Sequence, residues 1–249
     1  MARMVVARRS RIPGVLAALP LATALAAGCT TPQTGTVSSH WCPGDATFTT
    51  LDDMEDGDGK LCQDWGSWSL SVGAGITSTV PLAIDGSLQR TEPTDGTLGT
   101  VSAFPSTRAI HLTASGFAAG SDPAHWATLS AVFSPPGPFP LSDYTGLRFQ
   151  AKASVVSQMR VNVATSTTRD LAAGDSFGRT ISVQTTGTQM VVPFATTTQE
   201  GYGTGVVQDF ADATLLSFDF KLAAQFLDDT RDINPDTLDI WIDDVQLIR

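Results

Sequence analysis

Short runs of alternating apolar and polar residues, each broken by turn residues, constrain this chain more than any other feature. Leu147, Phe149, Ala151 and Ala153 alternate with Arg148, Gln150 and Lys152, and Met159, Val161 and Val163 alternate with Arg160 and Asn162. Leu216, Phe218, Phe220 and Leu222 alternate with Ser217, Asp219 and Lys221; Leu238, Ile240 and Ile242 alternate with Asp239 and Trp241. A strand turns successive side chains to opposite faces, so each run has one face for a core and one for solvent or a ligand. Further strands are predicted at 65–72, 76–81, 109–114, 126–133, 180–183 and 189–194. Asp85-Gly86, Asp95-Gly96, Pro135-Pro136-Gly137-Pro138 and Asn234-Pro235 supply turns between runs. Charged residues are only 16% of the chain, too few for solvated helices. About ten strands at this spacing predict an all-β fold, a two-sheet β-sandwich of jelly-roll type.

The last run carries a finer signal. Its apolar parity is even up to Ile242 and odd at Val245 and Leu247. A strand changes parity only by inserting a residue, so a β-bulge is predicted at Asp243-Asp244.

The N-terminus reads as a processing segment. Arg3, Arg8, Arg9 and Arg11 precede an uncharged apolar stretch at 15–27, which ends in Leu25-Ala26-Ala27-Gly28-Cys29. That layout is a secretory signal. Its small-residue box before cysteine resembles a lipoprotein signal, with Cys29 as the lipidated N-terminus. Ala24-Leu25-Ala26 also offers an ordinary cleavage site. The expected organisation is a signal at 1–28, a Thr/Ser/Gly/Pro tether at 29–40 and one domain at 41–249. The expected location is the cell envelope, with the membrane met only through the N-terminal lipid.

Cleavage removes four of 15 basic residues and none of the 25 acidic ones, moving the net charge from −10 to −14. Such a surface repels nucleic acid and anionic headgroups but tolerates neutral sugars and cations. With Cys29 lipidated, Cys42 and Cys62 remain as a pair. In an exported protein they are expected to form a disulfide closing roughly 20 residues, worth about 3 kcal/mol.

Two constellations could carry chemistry. The acidic one opens the domain at Leu51-Asp52-Asp53-Met54-Glu55-Asp56 and closes it at Asp243-Asp244. First and last strands can lie side by side, and converging carboxylates then require a cation or protonation. Oxygen ligands without His or Cys point to calcium; the alternative is a solvated acidic turn. The aromatic constellation is Trp65, Trp68, Trp126, Tyr144, Tyr202 and Trp241. Such rings offer flat apolar faces on which sugars stack, or they fill the core. Trp65 and Trp68, three apart in a strand, point to opposite faces. His40, His111 and His125 lie in no catalytic motif, so no enzyme activity is expected. Gly201-Tyr202-Gly203-Thr204-Gly205 lacks the strand–helix setting of a phosphate loop and is expected to be a mobile loop.

Together these residues resemble family 11 carbohydrate-binding modules, β-jelly rolls of the galactose-binding-like superfamily. Leu51-Asp52-Asp53-Met54-Glu55 and Asp64-Trp65-Gly66-Ser67-Trp68-Ser69 are similar to its opening. His125-Trp126-Ala127-Thr128, Gly174-Asp175-Ser176-Phe177 and Val192-Pro193-Phe194 resemble internal segments. Leu238-Asp239-Ile240-Trp241-Ile242-Asp243-Asp244-Val245 resembles its closing strand. The resemblance spans about residues 50–249. It implies a non-catalytic polysaccharide-binding protein with a β-glucan-like ligand in a cleft on one sheet face. Ligand contacts are then expected at Trp68, His125, Asp175, Glu200, Tyr202 and Lys221. Asp53, Glu55 and Asp243 are expected to hold a structural calcium. The family's arginine-rich loop is replaced here by Thr196-Thr197-Thr198-Gln199-Glu200-Gly201. The alternative is therefore an envelope structural or protein-interaction module that keeps the jelly roll without sugar binding.

Overall fold

A computed structural model describes residues 46–54, 59–79, 109–117, 125–134, 140–211, 213–223 and 237–249. Their alternating runs become eleven strands. In chain order these are β1 (Phe48–Asp52), β2 (Gly66–Val72), β3 (Thr77–Thr79), β4 (Ile110–Ser115), β5 (Trp126–Phe133) and β6 (Gly146–Ala153). They continue as β7 (Ser157–Thr165), β8 (Phe177–Val183), β9 (Thr188–Pro193), β10 (Leu215–Ala223) and β11 (Thr237–Ile248). A single α-helix among the described residues, α1 (Ser166–Leu171), follows β7, capped by the Thr165 hydroxyl at the Thr168 amide. Nothing in the alternating pattern announced it.

The strands form two antiparallel sheets, the two-sheet jelly-roll sandwich expected. One runs β3-β4-β11-β6-β9, with β1 also paired to β11; the other runs β2-β5-β10-β7-β8. The core lies between them. Leu147, Phe149, Ala151, Met159, Val161, Phe218, Phe220 and Ile240 are all buried. Phe220 meets Phe149 across the sandwich edge-on at 5.0 Å between ring centres, and Phe194 stacks on Phe218 at 6.1 Å. Each such side chain contributes about 1.5–3 kcal/mol by leaving water. One parity expectation fails locally. Leu215 rather than Leu216 is buried, because the β10–β7 register slips between Leu215 and Ser217.

The bulge is where the sequence puts it. Asp243 opposes Gln150 while Gln246 opposes Arg148, so β11 holds one extra residue against β6. Asp244 takes a positive φ of 48°, and its amide donates to Asp243 Oδ1 at 2.8 Å. First and last strands lie side by side, with Thr49 opposite Leu247.

Trp68 requires a correction. It was expected at a sugar-binding face, but it is 6% exposed between the sheets. Its indole N–H donates to Asp52 Oδ2 at 2.6 Å, while Asp52 Oδ1 accepts the Met54 amide at 2.8 Å. A buried indole needs an acceptor, and Asp52 supplies one from the opposite sheet. Ser67, Ser69 and Ser71 take the outer face of β2 instead.

The signal and tether at 1–40, with Cys29, lie outside the described residues, as do Cys42, Glu55 and all four predicted turn sequences. Cys62 is 2% exposed in a short 3-10 turn at Cys62–Asp64. No described helix is long and apolar enough to cross a membrane.

Candidate functional site

Register builds a polar floor on the outer face of the five-stranded sheet. One row runs Ser71, Thr128, Lys221 and Arg160 across β2, β5, β10 and β7. The next runs Ser69, Ser130, Asp219, Asn162 and Gly178, reaching β8. These are the polar positions of the alternating runs, brought together by strand order rather than by sequence proximity. Gly178 has no room for a side chain, since a Cβ there would meet Asn162 Oδ1 at 2.1 Å.

One wall comes from the segment after β9. Thr198 pairs with Gly178 along the free edge of β8, and the chain then turns back over the sheet face. Glu200 Oε1 lies 3.0 Å from Lys221 Nζ and 3.3 Å from Arg160 Nε. Arg160 also donates to Asn162 Oδ1 at 2.9 Å and to the Thr198 carbonyl. The Tyr202 hydroxyl donates to the Gly174 carbonyl at 2.9 Å, and its ring, 62% exposed on the residue scale, lies 5.8 Å from Lys221 Nζ. Trp126 stands where β5 begins. Ser71, Thr128, Ser130, Asn162, Asp219 and Lys221 of the floor line a groove of about 570 Å³ with Trp126, Gly174, Ser176, Glu200 and Tyr202, while Arg160 lies behind Glu200. The volume is within the usual range of about 300–1,000 Å³ for ligand sites.

Burial shapes the electrostatics. Desolvation lowers the Arg160 pKa, with Glu200 and then Asp175 pulling it back. Desolvation raises the Tyr202 pKa, and Glu200 and Asp175 raise it further. The Asp219 carboxyl is also raised by desolvation, opposed by hydrogen bonds from Ser217, at 2.7 Å, and Ser130. The groove therefore offers ion-paired charges, hydroxyls and an amide along its floor, with an aromatic ring at each of two margins. That inventory suits a ligand rich in hydroxyls that also has apolar ring faces.

Of the six residues expected to contact ligand, the structure brings Glu200, Tyr202 and Lys221 together in the groove. Trp68 is core. Asp175 is 1% exposed and spends its carboxylate on backbone amides, from Glu200 at 2.8 Å, Gly201 at 2.7 Å and Gly203 at 3.4 Å. A buried acceptor so engaged is a loop anchor, not a groove contact. It also corrects the expectation of a mobile loop: Gln199 ties the segment further, to the Asp175 carbonyl at 2.7 Å and the Val206 amide at 2.9 Å. His125 does not line the groove. It sits one residue before Trp126, on the opposite parity, with a buried Nδ1 that has no hydrogen-bond partner among the described residues.

Among the groove residues, Thr128, Ser130, Asn162 and Asp219 were not singled out as ligand contacts, and Trp126 stood only among the rings that could stack on a sugar or fill the core. Their outward parity was readable, but so was that of every other polar strand position.

For the expected calcium ligands, Asp243 is 1% exposed in the bulge and Asp53 is half-buried just after β1. Among the described residues no three His, Cys, Asp or Glu side chains group tightly enough to hold a metal ion. The donors at this corner are nonetheless all oxygen, the chemistry calcium takes.

No protein-family model and no curated protein matches the chain. Solved structures do. The family 11 carbohydrate-binding module from Clostridium thermocellum, in complex with a β-1,3-1,4-mixed-linked tetrasaccharide, is similar at a TM-score of 0.53 and 13% identity, covering 82% of this chain and 97% of that one. The family 11 module of a cellulosomal cellulase of the same organism is similar at 0.51 and 12% identity, covering 82% and 96%. At such identities the likeness is one of fold, and this chain has the β-jelly roll of the family 11 carbohydrate-binding modules.

Proposed function

We propose that this chain is a non-catalytic carbohydrate-binding protein, taking a β-glucan-like polysaccharide in the groove on its five-stranded sheet. The observation that carries the reading is the joining of a half-buried Trp126 and an exposed Tyr202, as ring margins, to Glu200 and a floor of Lys221, Asp219, Asn162, Ser71, Thr128 and Ser130. Aromatic faces take the C–H faces of pyranose rings, and the polar floor takes their hydroxyls. A fold neighbour holding a mixed-linked tetrasaccharide supports the same reading. Glu200 is tied to two cations, which suits a fixed hydroxyl acceptor better than a proton donor in hydrolysis.

Cys29 is proposed as the lipid attachment that holds the domain at the cell envelope, and Cys42–Cys62 as its disulfide. Asp53, Glu55 and Asp243 are proposed as calcium ligands at the β1–β11 corner, where the metal would neutralise carboxylates and stiffen the bulge. A chelator should then lower the melting temperature, and added calcium restore it.

Native electrophoresis of the full-length protein through gels containing mixed-linkage β-glucan, xylan, mannan or no polysaccharide tests the main reading. Retardation by the β-glucan, without release of reducing ends, supports it. Uniform migration of folded protein in every gel overturns it. One observation favours the structural-module alternative: with Trp68 in the core, the groove keeps fewer rings than the sequence offered.

A further inference from the structure

We infer that Asp175 is a positioning residue that sets glycan affinity without touching the glycan, by holding the Glu200–Gly203 segment in its binding shape. The inference rests on the proposed groove and extends it. It departs from the expectation that Asp175 is itself a ligand contact.

The geometry is specific. Asp175 is 1% exposed, and its two carboxylate oxygens accept three backbone amides from one stretch of four residues. Its carbonyl takes a fourth bond, from the Gln199 side chain. Charged acceptors of backbone amides form the stronger class of hydrogen bond, so this anchor outweighs ordinary turn contacts. Gly203 seals the arrangement. A Cβ there would meet the Ala172 carbonyl oxygen at 1.9 Å and Asp175 Cβ at 2.9 Å. Gly201 sits at φ 92°, where other residues are strained.

The anchored stretch carries the two groove residues that reach in from a loop. Glu200 must stand where one oxygen meets both Lys221 and Arg160, and Tyr202 must present its ring above Lys221. A free segment of this kind, with two glycines in four residues, would have to be ordered on binding, and that ordering opposes affinity. Asp175 removes the cost beforehand. Its side chain faces the back of the loop, so a glycan in the groove meets Glu200 and Tyr202 and not Asp175.

The test uses Asp175→Asn in the full-length protein. Asparagine keeps the shape but replaces one acceptor oxygen by a donor that faces amide N–H groups. Hydrogen exchange should quicken by about tenfold or more at Glu200, Gly201 and Gly203, with strands β5 and β10 unchanged. The Tyr202 phenol should titrate lower, because a neighbouring negative charge is gone. Affinity for soluble mixed-linkage β-glucan should fall about tenfold through loss of preorganisation. Tyr202→Phe, which removes the tether to Gly174, gives a milder loss of exchange protection and of affinity. Lost affinity with unchanged exchange at the three amides would overturn the inference, since Asp175 would then be touching glycan. Faster exchange with unchanged affinity would overturn it as well. If the wild-type protein binds no glycan, the proposed function falls; the exchange readout still shows whether Asp175 holds the loop.

Discussion

On the outer face of the six-stranded sheet, the Trp241 ring stacks on His111 at 4.3 Å with the planes 5° apart, and Lys152 Nζ lies 5.1 Å from its centre. His111 is the β4 partner of Trp241 and Lys152 its β6 partner, so the indole is flanked on both sides within its own sheet. His111 in turn meets Asp239 Oδ1 at 3.1 Å, and Thr113 donates to the same oxygen at 2.7 Å. On the five-stranded face, Tyr202 is 62% exposed and projects from a loop above the sheet, with Lys221 and Glu200 beneath. Both faces carry an aromatic ring, a lysine, an acid and hydroxyls. The difference lies in what fills the ring faces. In-plane neighbours occupy Trp241, whereas a ring raised on a loop over a polar floor leaves a groove. Aromatic content alone does not make a groove; here a ring raised over the sheet walls one.

The largest effect should separate the two faces by their acids. Glu200→Ala leaves Arg160 and Lys221, 6% and 15% exposed at the side chain, without their shared partner. Breaking such a buried pair costs on the order of 3 kcal/mol, read as a lower urea midpoint. Asp239→Ala, at a site 28% exposed beside His111, should cost about 1 kcal/mol or less. Equal losses would erase the distinction.

Trp68→Phe comes next. It removes the indole hydrogen bond to the buried Asp52 carboxylate, costing about 2 kcal/mol, and should leave glycan retardation unchanged because Trp68 is core. Reduced retardation with intact stability would return Trp68 to the groove. Trp126→Ala should weaken glycan binding by roughly 1.5 kcal/mol, a little over tenfold, while Trp241→Ala leaves it unchanged in the same gels.

The smallest effect is a pH slope. The folded-state pKa of Asp219 is raised by desolvation. Its contribution is therefore fully present below the unfolded aspartate pKa and lost as pH rises through the folded value. Asp219→Asn removes that slope. Relative to wild type, the variant should gain stability from acid towards neutral pH, measured as paired urea midpoints. A gain in the opposite direction would mean that Asp219 is held ionised by Ser217, Ser130 and Lys221.

The strands were legible because burial on one face writes itself into every second residue. The same logic exposed the bulge, since Ile242 and Val245 cannot both face the core of an unbroken strand. It misread Trp65, which precedes β2 and packs, partly buried, against the same core as Trp68 rather than on the opposite face. It did not show that Trp68 was buried, because that depended on Asp52 arriving from the other sheet. Glu200 and Tyr202 were found by resemblance; Thr128, Asn162 and Asp219 were not found, because outward parity is shared by dozens of positions. Asp175 was assigned to the wrong partner, since a carboxylate beside glycines reads alike whether it meets a sugar or a backbone amide.

The sequence by itself determined the all-β class, the facing of most strands and the parity break at Asp243-Asp244, all of which are local patterns. The tertiary structure decided the order β2-β5-β10-β7-β8, and with it which outward residues share a groove. It also decided the return of Glu200 over Arg160 and the burial of Trp68 against Asp52. Strand pairing and loop anchoring join residues far apart in the chain, and their energies depend on neighbours that no local window contains.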